Sequence, residues 1–524
     1  MTRPLLAAAL CAASVTALAA PATAAARTSA LPLGPSSLHE QRDTRQLAPG
    51  VTLTTIVRGE KSAADVWTLH VRLAVPGNTS AVIAPKATAE DAARRLESAG
   101  FHPRVEAVDG PRFADVRAGR VGYVVRVGRY ATEADAKKDL PALNAAGFSA
   151  GTSYTAQDGT AATGPWRLHV ISVDPGRFGG RVVSSVGGTL TATDKVSDLV
   201  RTSGAVAGVN GTYFTAGGKG GSAGLHVLNG ELTSEANNGR TALILPQSGR
   251  GARFAQLSTV LRVRAQDRAG RELDGVNRLP GLVDNCGGVG GDQPTERPQH
   301  DVTCTDPDEL VAFTPVYGAS SPAGDGAEAV LDASGRVTEL RPARGTAIPA
   351  GGRTVQAIGT AADWLRDHAR PGTRLAISEQ VLDRGRPVRL DARTSILGAG
   401  PQLVRDGRAW VDAYADGLVH TGDDQSFYYN WVLRRNPRTM VGVDRRGRLL
   451  MVAADGRAPG FSEGLSIEEA AKVMRSLGAV QAMNFDGGGS TTMATAGGAL
   501  VNRPSDGTGE RSVGDGILLL PGRR

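Results

Sequence analysis

Gln481-Ala-Met-Asn-Phe-Asp486-Gly-Gly-Gly-Ser490-Thr-Thr492 carries the reading of this chain. The apolar run up to Phe485 predicts a buried strand that delivers the carboxylate of Asp486 to its end. Gly487, Gly488 and Gly489 have no Cβ, so the backbone there can turn sharply and line a concavity with N–H groups. Immediately upstream, Ser466 to Leu477 predicts an amphipathic helix, with Ser466 and Glu469 spaced as a capping box. Thr193 to Ser203 and Thr360 to Ala369 are the other helix candidates after Gly164. The rest of 164–524 reads as short strands and turns. The expected fold class is α+β, with a sheet-rich domain over 164–524.

Working toward the N-terminus, the segment 79–160 partly repeats itself. Thr88 to Phe101 and Thr132 to Phe148 are Ala-rich helical patterns that both end in Ala-Gly-Phe. Gly122-Tyr-Val-Val-Arg-Val-Gly-Arg-Tyr130 alternates as a strand before the second. Ser80 to Ala84 is taken as the strand before the first. Two such units make a small two-repeat α+β sandwich. Tyr123-Val-Val-Arg-Val-Gly128 with its following helix resembles a SPOR (sporulation-related repeat) domain, a family that binds the glycan strands of peptidoglycan. Residues 46–78 hold two alternating runs, Val51 to Val57 and Trp67 to Leu73. The polar stretch 27–45 is expected to be a linker.

Residues 1–26 read as a secretory signal peptide: Arg3, an apolar Leu5 to Ala20, then the small residues of Ala22-Thr-Ala24. No later stretch has 18 uninterrupted apolar residues, so no membrane span is expected in the mature chain. Export matches the cysteine usage. Cys11 falls in the signal segment, leaving Cys286 and Cys304 in a Gly- and Asp-rich stretch, where a disulfide is expected in an oxidising compartment. Two free thiols are the alternative reading. Two cysteines with only His300 nearby make a poor zinc shell.

The composition narrows the function. Aromatic residues are only 4% of the 524, which argues against nucleic-acid binding by base stacking. Lys plus Arg number 59 against 52 Asp plus Glu, a net charge of +7, but the signs are interspersed and form no basic tail. Gly-x-Ser-x-Gly, His-Glu-x-x-His and phosphate-loop motifs are absent, which removes the usual evidence for a serine hydrolase, zinc peptidase or NTPase.

The residues that can carry chemistry sit at predicted strand ends. Asp486 beside its glycines has the character of an acid/base or nucleophilic group, with Ser490 and Thr491 adding hydroxyls. A tight turn with a capping Asp is the bland alternative. Asn210-Gly211 ends a second buried run; Asn can both donate and accept, although Asn-Gly is also a hairpin signal. Arg438 follows Pro437 at a strand start, where it is either a phosphate clamp or a surface charge. Arg503 to Arg511 is a polar loop that either closes over a site or is solvated.

Asn210-Gly-Thr-Tyr-Phe214, Pro437-Arg-Thr439, Asp455-Gly-Arg457, Gly464-Leu-Ser466 and Asp486-Gly-Gly-Gly-Ser490 fall in an order that resembles the phosphodiester glycosidase family, that of the mannose-6-phosphate uncovering enzyme. The resemblance covers about 165–521. It implies a hydrolase that cleaves the C1–O bond of a sugar-1-phosphodiester without a cofactor or metal. On this reading Asp486 acts at the anomeric carbon, Arg438 and the Gly487–Gly489 backbone hold phosphate, and Asn210, Gly211, Ser490 and Thr491 bind sugar. The substrate expected is a phosphodiester-linked glycan of the cell envelope, with peptidoglycan as a second partner. The alternative is a non-catalytic wall-binding protein. The segment 281–305 is not part of the pattern and reads as an insertion. In the family a strand like Gly50 to Thr54 directly precedes one like Gly164 to His169; here about 110 residues separate them, so the SPOR-like unit is either inserted in the catalytic domain or strung before it.

Overall fold

Polar side chains and strand structure coexist at the N-terminal edge. In this computed structural model, which describes residues 30–215, 221–237, 239–285, 299–300, 302–420 and 422–522, β1 (Glu40–Ala48) pairs antiparallel with β2 (Val51–Arg58). The stretch read as a linker over 27–45 therefore becomes a strand at Glu40. Its charged residues hid it, yet they suit an edge strand, because charge at an edge discourages pairing with other chains. The expected signal segment 1–26 lies outside the described residues, as does Cys286.

After β2 the chain leaves the sheet and builds β3 (Trp67–Val71), α1 (Lys86–Ser98), β4 (Pro103–Gly110), β5 (Gly119–Tyr130), α2 (Glu133–Lys138), α3 (Leu140–Ala145) and β6 (Ala150–Tyr154). These strands form a sheet in the order β4-β5-β3-β6, a βαββαβ unit. Its first strand is Trp67–Val71, not Ser80 to Ala84: Asn78–Ala81 instead pairs with Leu73–Val75 in a separate ribbon. The second helix is broken before Leu140, since Pro141 cannot continue the hydrogen-bond ladder of the turn before it and instead opens α3. Ala89, Ala92, Ala93 and Leu96 bury one face of α1.

The chain returns to the first sheet as β7 (Trp166–Val173). It pairs with β2 along all of its length, from Val51 opposite Val173 to Arg58 opposite Trp166. Entry and exit of the βαββαβ unit are adjacent: the Glu60 N–H donates to the Thr163 carbonyl at 2.9 Å. The unit is inserted between two neighbouring strands of one sheet.

Then come β8 (Arg181–Ser185), α4 (Val196–Ser203) and β9 (Ala207–Asn210). Residues 226–398 add further sheets and α5 (Thr360–His368), around a separate core that includes Leu261, Val355 and Leu365. Within this region Leu282–Asp284 pairs with Thr303–Thr305; Cys304 is buried there and engaged. The chain continues through β10 (Gln402–Arg405), a π-helical turn (Tyr428–Leu433), β11 (Arg438–Asp444), β12 (Leu449–Ala454), α6 (Ile467–Ser476), β13 (Ala479–Asn484), β14 (Met493–Thr495) and β15 (Gly516–Leu520).

The first sheet runs β1-β2-β7-β12-β11-β13-β10, with Arg408–Ala409 at its edge; the second runs β8-β15-β9-β14. β11 and β12 are buried on both faces, which is why β12 reads as an unbroken apolar run and β11 as one over Met440–Val443. Met440 and Val452 pack with Ile467 and Met474 of α6. Val441 and Met451 pack with Val209 and Ile517 of the second sheet. Two sheets stacked in this way bring the ends of β9, β11 and β13 together. The expected cap of α6 is present: Ser466 Oγ accepts the Glu469 N–H at 3.2 Å, and Glu469 accepts the Ser466 N–H at 3.0 Å.

Candidate active site

Asp486 sits two residues beyond β13, where the two sheets meet. The Phe485 N–H donates to the Thr439 carbonyl at 2.8 Å, and the Asp486 N–H to the Gly211 carbonyl at 3.1 Å, so the residue is tied to both sheets. Burial pushes its carboxyl up to about 6; the Gly487 N–H, which donates to Oδ1 at 2.8 Å, and nearby Ser490 and Arg511 hold the rise back. Ser490 Oγ lies beside the carboxylate but makes no well-formed hydrogen bond among the described residues, and neither does Thr491 Oγ1. Polar atoms left unpaired at one buried place are unusual. Here one of them, Ser490 Oγ, lies beside a carboxylate.

Arg438, the first residue of β11, is fully buried. Its Nε donates to the Leu465 carbonyl at 2.9 Å, its Nη2 donates to the Trp431 carbonyl, and its guanidinium lies 4.5 Å from the centre of the Trp431 ring. Among the described residues no carboxylate forms an ion pair with it, and Nη1 has no partner. Burial pulls its pKa down to about 9. A buried cation without an anion is costly, and an anionic ligand at Nη1 would relieve it. The phosphate-clamp reading is narrowed in this respect: two guanidinium nitrogens are committed to the backbone, and the third, Nη1, is buried without a partner among the described residues.

Asn210 also differs from its expected role. Its Nδ2 donates to the Asp486 carbonyl at 2.8 Å, and its Oδ1 accepts from Thr439 Oγ1 at 2.5 Å and the Thr492 N–H at 3.1 Å. Its oxygen accepts two bonds and one of its two N–H donors is engaged, so the side chain first of all ties the loop to both sheets. Gly211 packs on Asp515, whose Oδ1 lies 2.5 Å from where a Cβ would stand.

The glycines form a 3-10 turn over Gly488–Ser490. The Gly487 N–H is taken by Asp486 and the Gly488 N–H by the Pro437 carbonyl at 3.0 Å, so neither is free for phosphate. Their need for glycine is steric. A Cβ at Gly487 would lie 2.7 Å from the Pro437 carbonyl oxygen and 2.9 Å from the Trp431 ring; one at Gly489 would meet Asp506 and Arg511. Gly488 has φ +57.

Comparison with known proteins now bears on this geometry. A phosphodiester glycosidase family model matches residues 325–520, and a SPOR domain model matches 82–152. The chain is 34% identical over 129 residues to N-acetylglucosamine-1-phosphodiester α-N-acetylglucosaminidase of Mus musculus and 28% identical over 162 residues to that of Bos taurus, covering 24% and 30% of this chain. The matches span only 23% and 29% of those enzymes' own lengths. A solved structure from Burkholderia pseudomallei, described as an exported protein, is 35% identical with a TM-score of 0.85, over 95% of this chain and 99% of that one. The chain carries a phosphodiester glycosidase domain and a SPOR domain.

The structure brings Asp486, Arg438, Gly487–Gly489, Ser490 and Thr491 of the matched domain together with Asn210 and Gly211, which precede it. It adds four residues that the sequence reading did not put in the site. Tyr213 donates its hydroxyl to the Gly400 carbonyl at 2.7 Å, packs near Trp431, and feels both Asp486 and Arg438. Arg457 binds Asn436 Oδ1 through Nε and Nη2, while its Nη1 lies near Gly488. Arg511, paired with Asp506, is a cation whose charge favours the ionised form of Asp486. Tyr213, Arg457 and Arg511 lie within stretches already singled out, so position in a motif was their signal. Trp431 had none.

Among the described residues no group of three His, Cys, Asp or Glu side chains is placed to hold a metal ion. His169 links the domain to its N-terminal strand: Thr55 of β2 meets His169 Nδ1 at 3.1 Å, and His169 Nε2 meets Asp455 Oδ2 at 3.0 Å.

Proposed function

We propose that the protein hydrolyses the C1–O bond of a sugar-1-phosphodiester, leaving a phosphate monoester and a free sugar. One observation carries this reading: a buried carboxylate with its pKa raised to about 6 and a buried arginine with no ion-pair partner among the described residues both act on Tyr213, and Trp431 lies against Arg438 and Gly487. A phosphate monoester is a good leaving group once its charge is neutralised, so the step needs cations at the phosphate more than a strong general acid. Arg438 Nη1, with Arg457 and Arg511 alongside, supplies those cations. Asp486 acts at the anomeric carbon. As a base it takes a proton from water while the water oxygen bonds to C1 and the C1–O pair leaves with the phosphate; as a nucleophile its oxygen bonds to C1 as the phosphate leaves, and water then hydrolyses the glycosyl ester to return the carboxyl group and free sugar. Ser490 and Thr491 present hydroxyls to the sugar.

The substrate class we favour is a cell-envelope glycan joined through phosphodiesters. The SPOR domain, a type that binds peptidoglycan, and the similarity to a protein described as exported support a location outside the cytoplasm. The test is a panel of synthetic sugar-1-phosphodiesters with released sugar as the readout. Release by the wild type and none by Asp486→Asn is expected. Firm retention on purified wall with no sugar released from any member would instead indicate a glycan-binding protein.

A further inference from the structure

The SPOR sheet carries its helices on one face only. Leu69, Val71, Val125 and Val127 point to that face and pack with Leu96 and Leu143. The alternate residues Thr68, His70, Val124, Arg126 and Ser153 point to the other face, as the period of two in a strand requires. That helix-free face is the flat surface on which an extended ligand could lie, yet none of these five is more than 5% exposed. Part of the cover comes from the unit itself, where Arg104 Nη2 donates to Thr68 Oγ1 at 3.2 Å and His70 Nε2 lies 2.6 Å from the Val82 carbonyl; the rest comes from the π-helical turn Tyr428–Leu433 of the glycosidase domain and the residues beside it. Arg126 Nη2 donates to Tyr429 Oη at 3.1 Å, and the Tyr429 ring stands edge-on to His70 with centroids 5.9 Å apart. Arg434 Nη2 donates to Ser153 Oγ at 3.0 Å. Asp158, which follows β6, holds Arg126 with two bonds of 2.6 and 2.8 Å. Val124 enters the same apolar cluster as Tyr429 and Val432.

Trp431 lies in this turn, two residues after Tyr429. Its carbonyl accepts from Arg438 Nη2, its ring stacks on that guanidinium, and its edge closes on Gly487. Direct contacts therefore run from β5 of the SPOR domain through Tyr429 and the turn to the residues flanking Asp486. A π-helical turn is a rare conformation, held where tertiary contacts favour it.

We propose that the SPOR domain of this protein is a brace for the active site: its helix-free face holds the π-helical turn, and Arg126 and Tyr429 are positioning residues for Trp431 and Arg438. In the intact chain a glycan does not lie on that face. The catalytic consequence rests on the glycosidase reading; the brace itself does not.

The test uses the full chain with Tyr429→Phe, which removes only the hydroxyl, and Tyr429→Leu, which also removes the ring facing His70. Trp431 emission is read as the difference between each protein and its Trp431→Phe counterpart, beside sugar release, melting temperature and retention on purified wall. We expect kcat/KM to fall about fivefold for Tyr429→Phe, the weight of one hydrogen bond, and about fiftyfold for Tyr429→Leu. Trp431 emission shifts in parallel, while wall retention is unchanged. A folded Tyr429→Leu protein with wild-type emission overturns the brace, and so does loss of wall retention with hydrolysis intact. Should Tyr429→Leu not fold, Tyr429→Phe and Arg126→Lys decide by the same emission readout. A wild type that releases no sugar sinks the glycosidase reading alone, because the emission shift still decides the brace.

Discussion

Asp486→Asn is nearly isosteric and removes the base or nucleophile, so turnover should fall at least ~10³-fold. A second effect goes the other way. A carboxyl whose folded pKa stands at about 6, above its ordinary 3.8, binds its proton more tightly in the folded state. Its ionisation therefore erodes stability as pH rises from about 4 to 6, and the full penalty persists above that range. Two units correspond to about 3 kcal/mol as an upper bound. Asp486→Asn should melt a few degrees higher than wild type at pH 8 and show little difference at pH 4; equal melting at both would mean the carboxyl is not buried at a cost. The rate of the wild type should rise along an acid limb near pH 6. Arg511→Gln should move that limb to higher pH, since Arg511 favours the ionised form. Arg438→Lys should lose at least ~10²-fold in kcat/KM, because one ammonium cannot bond the Leu465 and Trp431 carbonyls and still face an anion. Wild-type kinetics for Arg438→Lys would return Arg438 to a purely structural role.

At the scale of an element, the loop Asp486–Ser490 is shaped by what its glycines avoid. Gly487→Ala requires no unusual φ, but its methyl would press on a backbone carbonyl and the Trp431 ring. We expect a loss of about 1–3 kcal/mol and a larger proportional loss of activity, read together from melting and kcat. Gly487→Ala with native activity would show that the loop has slack. In the segment 281–305, a bond between Cys286 and Cys304 would close a loop of about 18 residues and stabilise by ~3 kcal/mol. Thiol labelling of denatured, unreduced protein should then find neither cysteine; two labelled thiols would remove the pairing. Elements with strong local signals were legible in advance: α1, α6 with its cap, and the strand leading to Asp486. Glu40–Ala48 and Trp67–Val71 were misplaced because pairing partners, not their own composition, decided where they belong.

The whole molecule is organised by the insertion. β2 buries Val51, Leu53 and Ile56 and pairs with β7 along its length. A fragment starting at residue 164 would lose both outer strands and bare the β7 edge. It should be insoluble or lack a cooperative melt by circular dichroism, and a fully active fragment would show that β2 is dispensable. Replacing 79–160 by a linker looks harmless from the sequence, since the repeat reads as self-contained and lies between segments that the resembling family joins directly. The structure forecasts the reverse: the linker would uncover Tyr429 and leave Arg434 without Ser153. We expect that deletion to lower activity as well as wall retention.

Local order of residue types was enough to identify Asp486 with its glycines, Arg438 at a strand start, Asn210 at a strand end and the SPOR repeat. Such features are written in short stretches, because a strand end and a tight turn are local events. The tertiary structure alone decided what each group has left to offer. Asn210 Oδ1 and the Gly488 N–H are engaged in joining segments that lie far apart in the chain, and the Gly487 N–H is taken by the neighbouring Asp486 carboxylate. Only one nitrogen of Arg438 remains for a ligand. Trp431 enters the site from a turn whose form depends on a domain about 300 residues away, where Arg126 meets Tyr429. A hydrogen-bonding group can be recognised from its type, but whether it is free depends on partners that only folding brings within 3 Å.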